Sequence, residues 1–247
     1  MGSEIRSRGE LSEYVCGGYF LAKTAKSYRH SDLLPAAIIT VSSCIAKTFP
    51  PDWAFDPAKV AELGSAEAAS SYGIAVNDVS KLITWTAERM SRYEIAFPNL
   101  FSSKKVADEF LGTFSFDRSD WRLLALGLHQ DQVKDFLQDV EPEAAPTTRA
   151  FRPLVLHEVI ARRERPDPCG KLIGFDVLAM DGYGECHSRF CNSLEEPIAV
   201  ELGIRPGEYG LLPTWPEANI CSEYASRPEV GAEPLPWYAW AVISYPI

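Results

Sequence analysis

Between Asn77 and Met90 the chain repeats Val79, Leu82, Ile83, Thr86 and Met90 at three- and four-residue intervals, with Asn77 or Asp78 in front as a cap. That period places one apolar stripe on a helix. Upstream, Asp56 followed by Pro57 has the form of an N-cap with proline at N1, and it opens a helix running toward Tyr72 with Gly64 as a soft point. Further helices are expected over residues 103–111, 119–128 and 130–140, the second from its W-R-L-L-A-L run. Residues 14–23 and 36–45 are short, aromatic or β-branched, and suit strands, although the second also allows a helix opening after Pro35. F-P-P-D-W-A-F-D-P, with three prolines in residues 49–57, is expected to be a loop.

Residues 141–148, E-P-E-A-A-P-T-T, have the composition of a linker, which divides the chain into parts 1–145 and 150–247. Beyond it, residues 154–160, 171–180 and 237–245 read as strands. A helix is expected from Asn192 or Ser193 to Gly203, with Glu195 and Glu196 in its first turn opposing the dipole, and a shorter one over residues 214–225. The fold class is therefore α+β: a mainly helical N-terminal part with short strands, then a C-terminal part of mixed strands and helices.

Composition adds charge to this picture. Of 247 residues 46% are hydrophobic, enough for a sizeable core, and 24 basic against 34 acidic side chains leave a net charge of −10. From Lys171 onward there are 4 basic and 11 acidic residues, so the last third carries much of the excess. An acidic surface repels phosphate backbones and anionic membranes and attracts basic proteins. The six cysteines are scattered along a chain of ordinary size, which suits reduced thiols in the cytoplasm. No apolar run reaches the ~20 residues of a membrane span, and the first residues lack the apolar core of a signal peptide.

The densest candidate chemistry lies in Cys186-His187 and Cys191, a C-H-x3-C spacing of soft ligands that needs a fourth, Cys169 or Cys221, to make a tetrahedral zinc set. Adjacent residues of an extended segment point to opposite faces, which argues against Cys186 and His187 as a nucleophile pair. The G-x-G at Gly182–Gly184 lacks a third glycine and leads into Glu185, so it reads as a turn rather than a phosphate cradle. His30, His129 and His157 are too widely separated to argue as a site, no G-x-S-x-G occurs, and Asp176 and Asp181 count first as surface acids. Trp53, Phe55, Tyr183, Tyr209 and Trp215 fall in loops, where aromatic side chains either pack on the core or anchor a partner.

The blocks I-I-T-V-S-S-C-I-A-K-T-F-P-P-D-W-A-F, G-F-D-V-L-A-M-D-G-Y-G-E-C-H-S-R-F-C-N-S-L and G-E-Y-G-L-L, just under a fifth of the chain, resemble bacterial immunity proteins of polymorphic and type VI secretion toxins. The resemblance implies a cytosolic, non-enzymatic antitoxin that needs no cofactor and covers the active site of a cognate toxin. A nuclease toxin with a basic groove is the partner that the acidic C-terminal part fits. On that reading the contacts are Asp181, Glu185, Glu195, Glu196, Glu201 and Glu208, with Tyr183 and Tyr209 as anchors. The alternative is a cytosolic metal-binding protein or Cys/His-dependent enzyme using Cys186, His187 and Cys191.

Overall fold

The structure, a computed structural model, describes residues 11–26, 33–140, 152–180 and 186–247. It is an α+β fold on one long antiparallel sheet. The chain first supplies β1 (Tyr14–Lys23), the two-residue strands β2 (Ala25–Lys26), β3 (Ala37–Ile38) and β4 (Thr48–Phe49), then α1 (Asp52–Phe55), α2 (Pro57–Leu63), α3 (Ser65–Tyr72) and α4 (Asp78–Met90). Strands β5 (Ile95–Ala96) and β6 (Leu100–Phe101), helix α5 (Lys104–Thr113), strand β7 (Trp121–His129) and helix α6 (Val133–Asp139) follow. Then come α7 (Arg152–Ala161), β8 (Lys171–Met180), β9 (Cys186–Ser188), α8 (Glu195–Glu201), α9 (Trp215–Ala225) and β10 (Trp237–Tyr245).

The sheet order is β5-β6-β1-β7-β10-β8-β9, with β4 also paired to β1 and β2-β3 forming a separate ladder. Strand β10 lies between β7 and β8, so the sheet runs across the division expected near residue 145. Side chains of the central strands alternate between two covered faces. Leu123 and Ala125 of β7 point toward the helices α1 to α5, whereas Leu124, Leu126 and Leu128 point toward α6 and α7. Ala239 and Ala241 of β10 share the first face with Phe175 and Val177, and there α8 and α9 cover them through Ile198, Ala218 and Tyr224. Each large apolar side chain buried this way contributes roughly 1.5–3 kcal/mol.

Burial on both faces explains two corrections. Residues 119–128 are not a helix but hold all of β7 except His129, because a strand covered on both sides is apolar almost throughout and its period disappears from the sequence. Residues 154–160 are not a strand but lie in α7, whose Val155, Leu156, Val159 and Ile160 reach the core at helical spacing despite their β-branched content. Of the strand expected over residues 36–45 only β3 is paired. After it the chain stays buried through Thr40, Val41 and Ser42 and then turns, with the Ala46 amide donating to the Ser42 carbonyl at 2.9 Å.

Several local expectations are met. Asp56 accepts from the Ala58 amide at 3.2 Å, and the soft point at Gly64 is the break between α2 and α3. Residues 49–57 are not the loop expected from their prolines: Asp52–Phe55 form the short helix α1, with Pro50 and Pro51 before it and Pro57 after it, and Trp53 and Phe55 are buried in the core. In β1 the register slips between Cys16 and Tyr19, so that three steps on β1 face two on β7. The extra residue returns Tyr19 to the face of Cys16, and Gly18 takes it up at φ +95°, a left-handed backbone that favours glycine. Among the described residues no helix is long and apolar enough to cross a membrane.

Candidate functional site

At the β8–β9 edge of the sheet a polar network enters an otherwise apolar interior. Asp176 stands in the middle of β8 and Arg189 just beyond β9, and both are about 1% exposed. Arg189 Nε lies 3.6 Å from Asp176 Oδ1. The carboxylate also accepts from the Thr40 hydroxyl at 3.1 Å and the Val177 amide at 2.9 Å, and the guanidinium donates to the Gly210 carbonyl. Burial pushes the Asp176 carboxyl above its ordinary range, and the guanidinium beside it works in the opposite direction. A buried charge pair of this kind, tied to three separate segments, fixes the path of the chain around it.

On the same segments that carry Thr40 and Arg189, three side chains of types able to bind a metal converge. Cys44 comes from the turn that follows Ser42, His187 from β9, and Cys191 from the turn after β9, where its amide donates to the Ser188 carbonyl at 2.9 Å. One ligand atom from each lies within 4.8 Å of the others. Cys191 Sγ is 3.3 Å from the Ser42 hydroxyl and 3.7 Å from that of Ser188. His187 Nδ1 is 3.0 Å from Glu233 Oε2. Glu233 is itself fixed by Asn192, whose side-chain amide donates to the same carboxylate and accepts from the Glu233 backbone amide, each at 3.0 Å. A carboxylate only accepts, so His187 Nδ1 is the donor in this contact. Cys44 is exposed and His187 and Cys191 are half-buried, which leaves the cluster open on one side.

The cluster differs from the C-H-x3-C set read from the sequence. Cys186 points to the opposite face of β9 and is buried beneath α6 and α7, as alternation along a strand requires. Cys221 is buried in α9, where desolvation pushes its thiol up to about 11, and exposed Cys169 belongs to a turn beside Asp167. Cys44 takes the place expected of these residues. Its only signal in the sequence is a cysteine closing the polar V-S-S-C step after an apolar run.

The acidic residues expected to contact a partner fall in different places. Asp181, Tyr183 and Glu185 lie outside the described residues. Glu195 is buried in the first turn of α8 and is not a surface group, a correction that follows from the helix starting at Glu195 rather than at residue 192 or 193. Glu196 and Glu201 are exposed on α8, and Glu201 accepts from the Tyr224 hydroxyl of α9 at 2.9 Å. Glu208 is exposed beside two shallow clefts of about 350 and 300 Å³ along β8. Tyr209 packs against the opposite side of the sheet, and its carbonyl accepts from the Ile39 amide at 3.1 Å. Glu208 and Tyr209 are therefore not on the face formed by α8 and α9.

That face has a feature not expected from the sequence. Val200 of α8 is 76% exposed and Ile220 of α9 is 44% exposed. Glu196 stands one turn before Val200 on α8, and Glu217 and Glu223 stand one turn to either side of Ile220 on α9. Trp215, at the start of α9, is half-buried and stacks on His129 at 4.2 Å, so it serves packing. No family model, curated protein or solved structure matches the chain significantly.

Proposed function

We infer that this protein is a cytosolic, non-enzymatic inhibitor of the immunity type, which binds a basic toxin domain and covers its nucleic-acid groove. The observation that supports the reading is the pair of helices α8 and α9, where exposed Val200 and Ile220 each have a glutamate one turn away. Single exposed apolar residues are ordinary, but an exposed apolar side chain with a carboxylate one turn away, on each of two helices covering the same face of the sheet, suits a basic partner. Long-range attraction to the net charge of −10 steers the encounter, and desolvation of the apolar pair at the centre lengthens the complex's life.

The test compares wild-type protein with a Glu196→Lys, Glu201→Lys, Glu223→Lys variant. Tagged protein is used to capture partners from a lysate of the source organism at low and moderate salt, and the captured protein is assayed for nuclease or other toxic activity. The inhibitor reading expects one basic protein whose activity the wild type suppresses. The triple variant, whose fold is checked by thermal melt because Glu201 also accepts from Tyr224, loses at least tenfold in affinity and much of the salt dependence. Capture that is insensitive to both the reversals and the salt, or a captured protein without toxic activity, overturns the reading.

A further inference from the structure

We propose that Cys44, His187 and Cys191 form a binding site for a thiophilic divalent ion of the zinc type, independent of the acidic face on α8 and α9. Two thiolates and a neutral imidazole are a donor set that zinc prefers, and together with the ion they carry no net charge, which suits a half-buried position. Tetrahedral coordination with Zn–S bonds of about 2.3 Å brings two sulfurs to about 3.8 Å apart. The three ligand atoms already lie within 4.8 Å of one another, so closure needs side-chain rotation and not rearrangement of the backbone.

The surroundings give a second, independent observation. Ligating histidines are characteristically oriented by a carboxylate on the nitrogen that the metal does not take. Glu233 lies 3.0 Å from His187 Nδ1, so coordination through Nε2 would leave that contact intact. Asn192 holds Glu233 through two hydrogen bonds, one to its side chain and one to its backbone, so the orienting group is itself oriented. The hydroxyls of Ser42 and Ser188 lie close enough to the Cys191 sulfur to donate to a thiolate. Beneath them the Asp176–Arg189 pair ties the segments carrying Cys44 and Cys191 to β8 through Thr40 and the β9 turn. Exposed Cys44 leaves the fourth coordination position toward solvent, where water completes the set.

Full-length protein, reduced and stripped with a chelator, is titrated with Zn²⁺ alone, and separately with Co²⁺ to read the near-ultraviolet sulfur-to-cobalt charge-transfer band. One equivalent binds, and the cobalt spectrum shows thiolate ligation. Cys44→Ser and Cys191→Ser each weaken Zn²⁺ binding at least a hundredfold, and Glu233→Gln weakens it about ten- to a hundredfold by releasing the imidazole. Cys169→Ser, an exposed cysteine outside the cluster, leaves binding unchanged. Because Cys191 is half-buried, its variant is checked by thermal melt, and exposed Cys44 supplies the variant that keeps the fold. The proposal is overturned if the reduced chain takes up no Zn²⁺, if Cys44→Ser binds as the wild type does, or if the isolated protein holds a Cys44–Cys191 disulfide that reduction does not convert into a Zn²⁺ site.

Discussion

Arg189 has Asp176 as its charge partner and the Gly210 carbonyl as a hydrogen-bond acceptor. Each member of the Asp176–Arg189 pair is about 1% exposed, so removing one leaves the other charged group without water or counter-ion. Arg189→Met is expected to cost about 3–5 kcal/mol in urea unfolding, far more than an exposed arginine would. The penalty should also depend on pH. Burial already pushes the Asp176 carboxyl up, and losing the guanidinium removes the force opposing that shift. Above the ordinary carboxylate range the folded variant then binds more protons than its unfolded chain, so its stability falls as pH rises through that window. Melts at about pH 5 and about pH 7 should show the gap between variant and wild type narrowing at the lower value; an equal gap at both excludes the coupling. From the sequence alone Asp176 is one acid among many. Its role is legible only in hindsight, as the one carboxylate inside a strand buried on both faces. His187 and Cys191 were legible because they are four residues apart, but Cys44 reaches them only through a turn at the far end of another segment.

At the scale of elements, legibility followed exposure. Helix α4 keeps a polar face, so its stripe is visible in the sequence, and caps such as Asp56 and Thr214 mark their helices because the side chain accepts from the first turn. Strand β7 and helix α7 were exchanged for each other because nearly every residue of the strand is buried and the helix is short and β-branched. The bulge in β1 had a visible sign in Gly17-Gly18 but no sign of its purpose. An added Cβ at Gly18 meets Leu100 Cδ1 at 2.6 Å on a backbone at φ +95°, whereas at Gly73, the left-handed cap of α3 at φ +69°, it meets nothing within 4 Å. Gly73→Ala therefore carries only the backbone penalty, about 1 kcal/mol, while Gly18→Ala adds steric conflict in the centre of the sheet and should cost about 3 kcal/mol or more. Equal losses in chemical denaturation would show that the sheet relaxes around the bulge and that its geometry is not fixed by packing.

For the molecule as a whole, the shared sheet decides how the two halves depend on each other. Strand β10 pairs with β7 over Trp240 to Tyr245 and with β8 over Trp237 to Ser244, so the last strand in sequence joins the two parts that composition separates. A fragment of residues 1–140 keeps β1 and β7 but lacks β10 and α7. It leaves α6 alone over the face of Leu124, Leu126 and Leu128, without the covering of α7 and β10, and presents β7 as a long apolar edge. At roughly 1.5–3 kcal/mol for each large side chain returned to water, three or four such losses match the whole stability of a typical domain, about 5–15 kcal/mol. The complementary fragment, residues 152–247, keeps the β10–β8 ladder but loses the covering that β7 and α6 give Trp240 and Val242. Neither fragment alone should give a cooperative thermal transition or a near-ultraviolet dichroism spectrum of packed aromatics, and an equimolar mixture refolded together should regain both. A cooperative melt from residues 1–140 alone would mean that the helices α1 to α5 carry an independent core, and that the division suggested by the linker composition is a true domain boundary in spite of the continuous sheet.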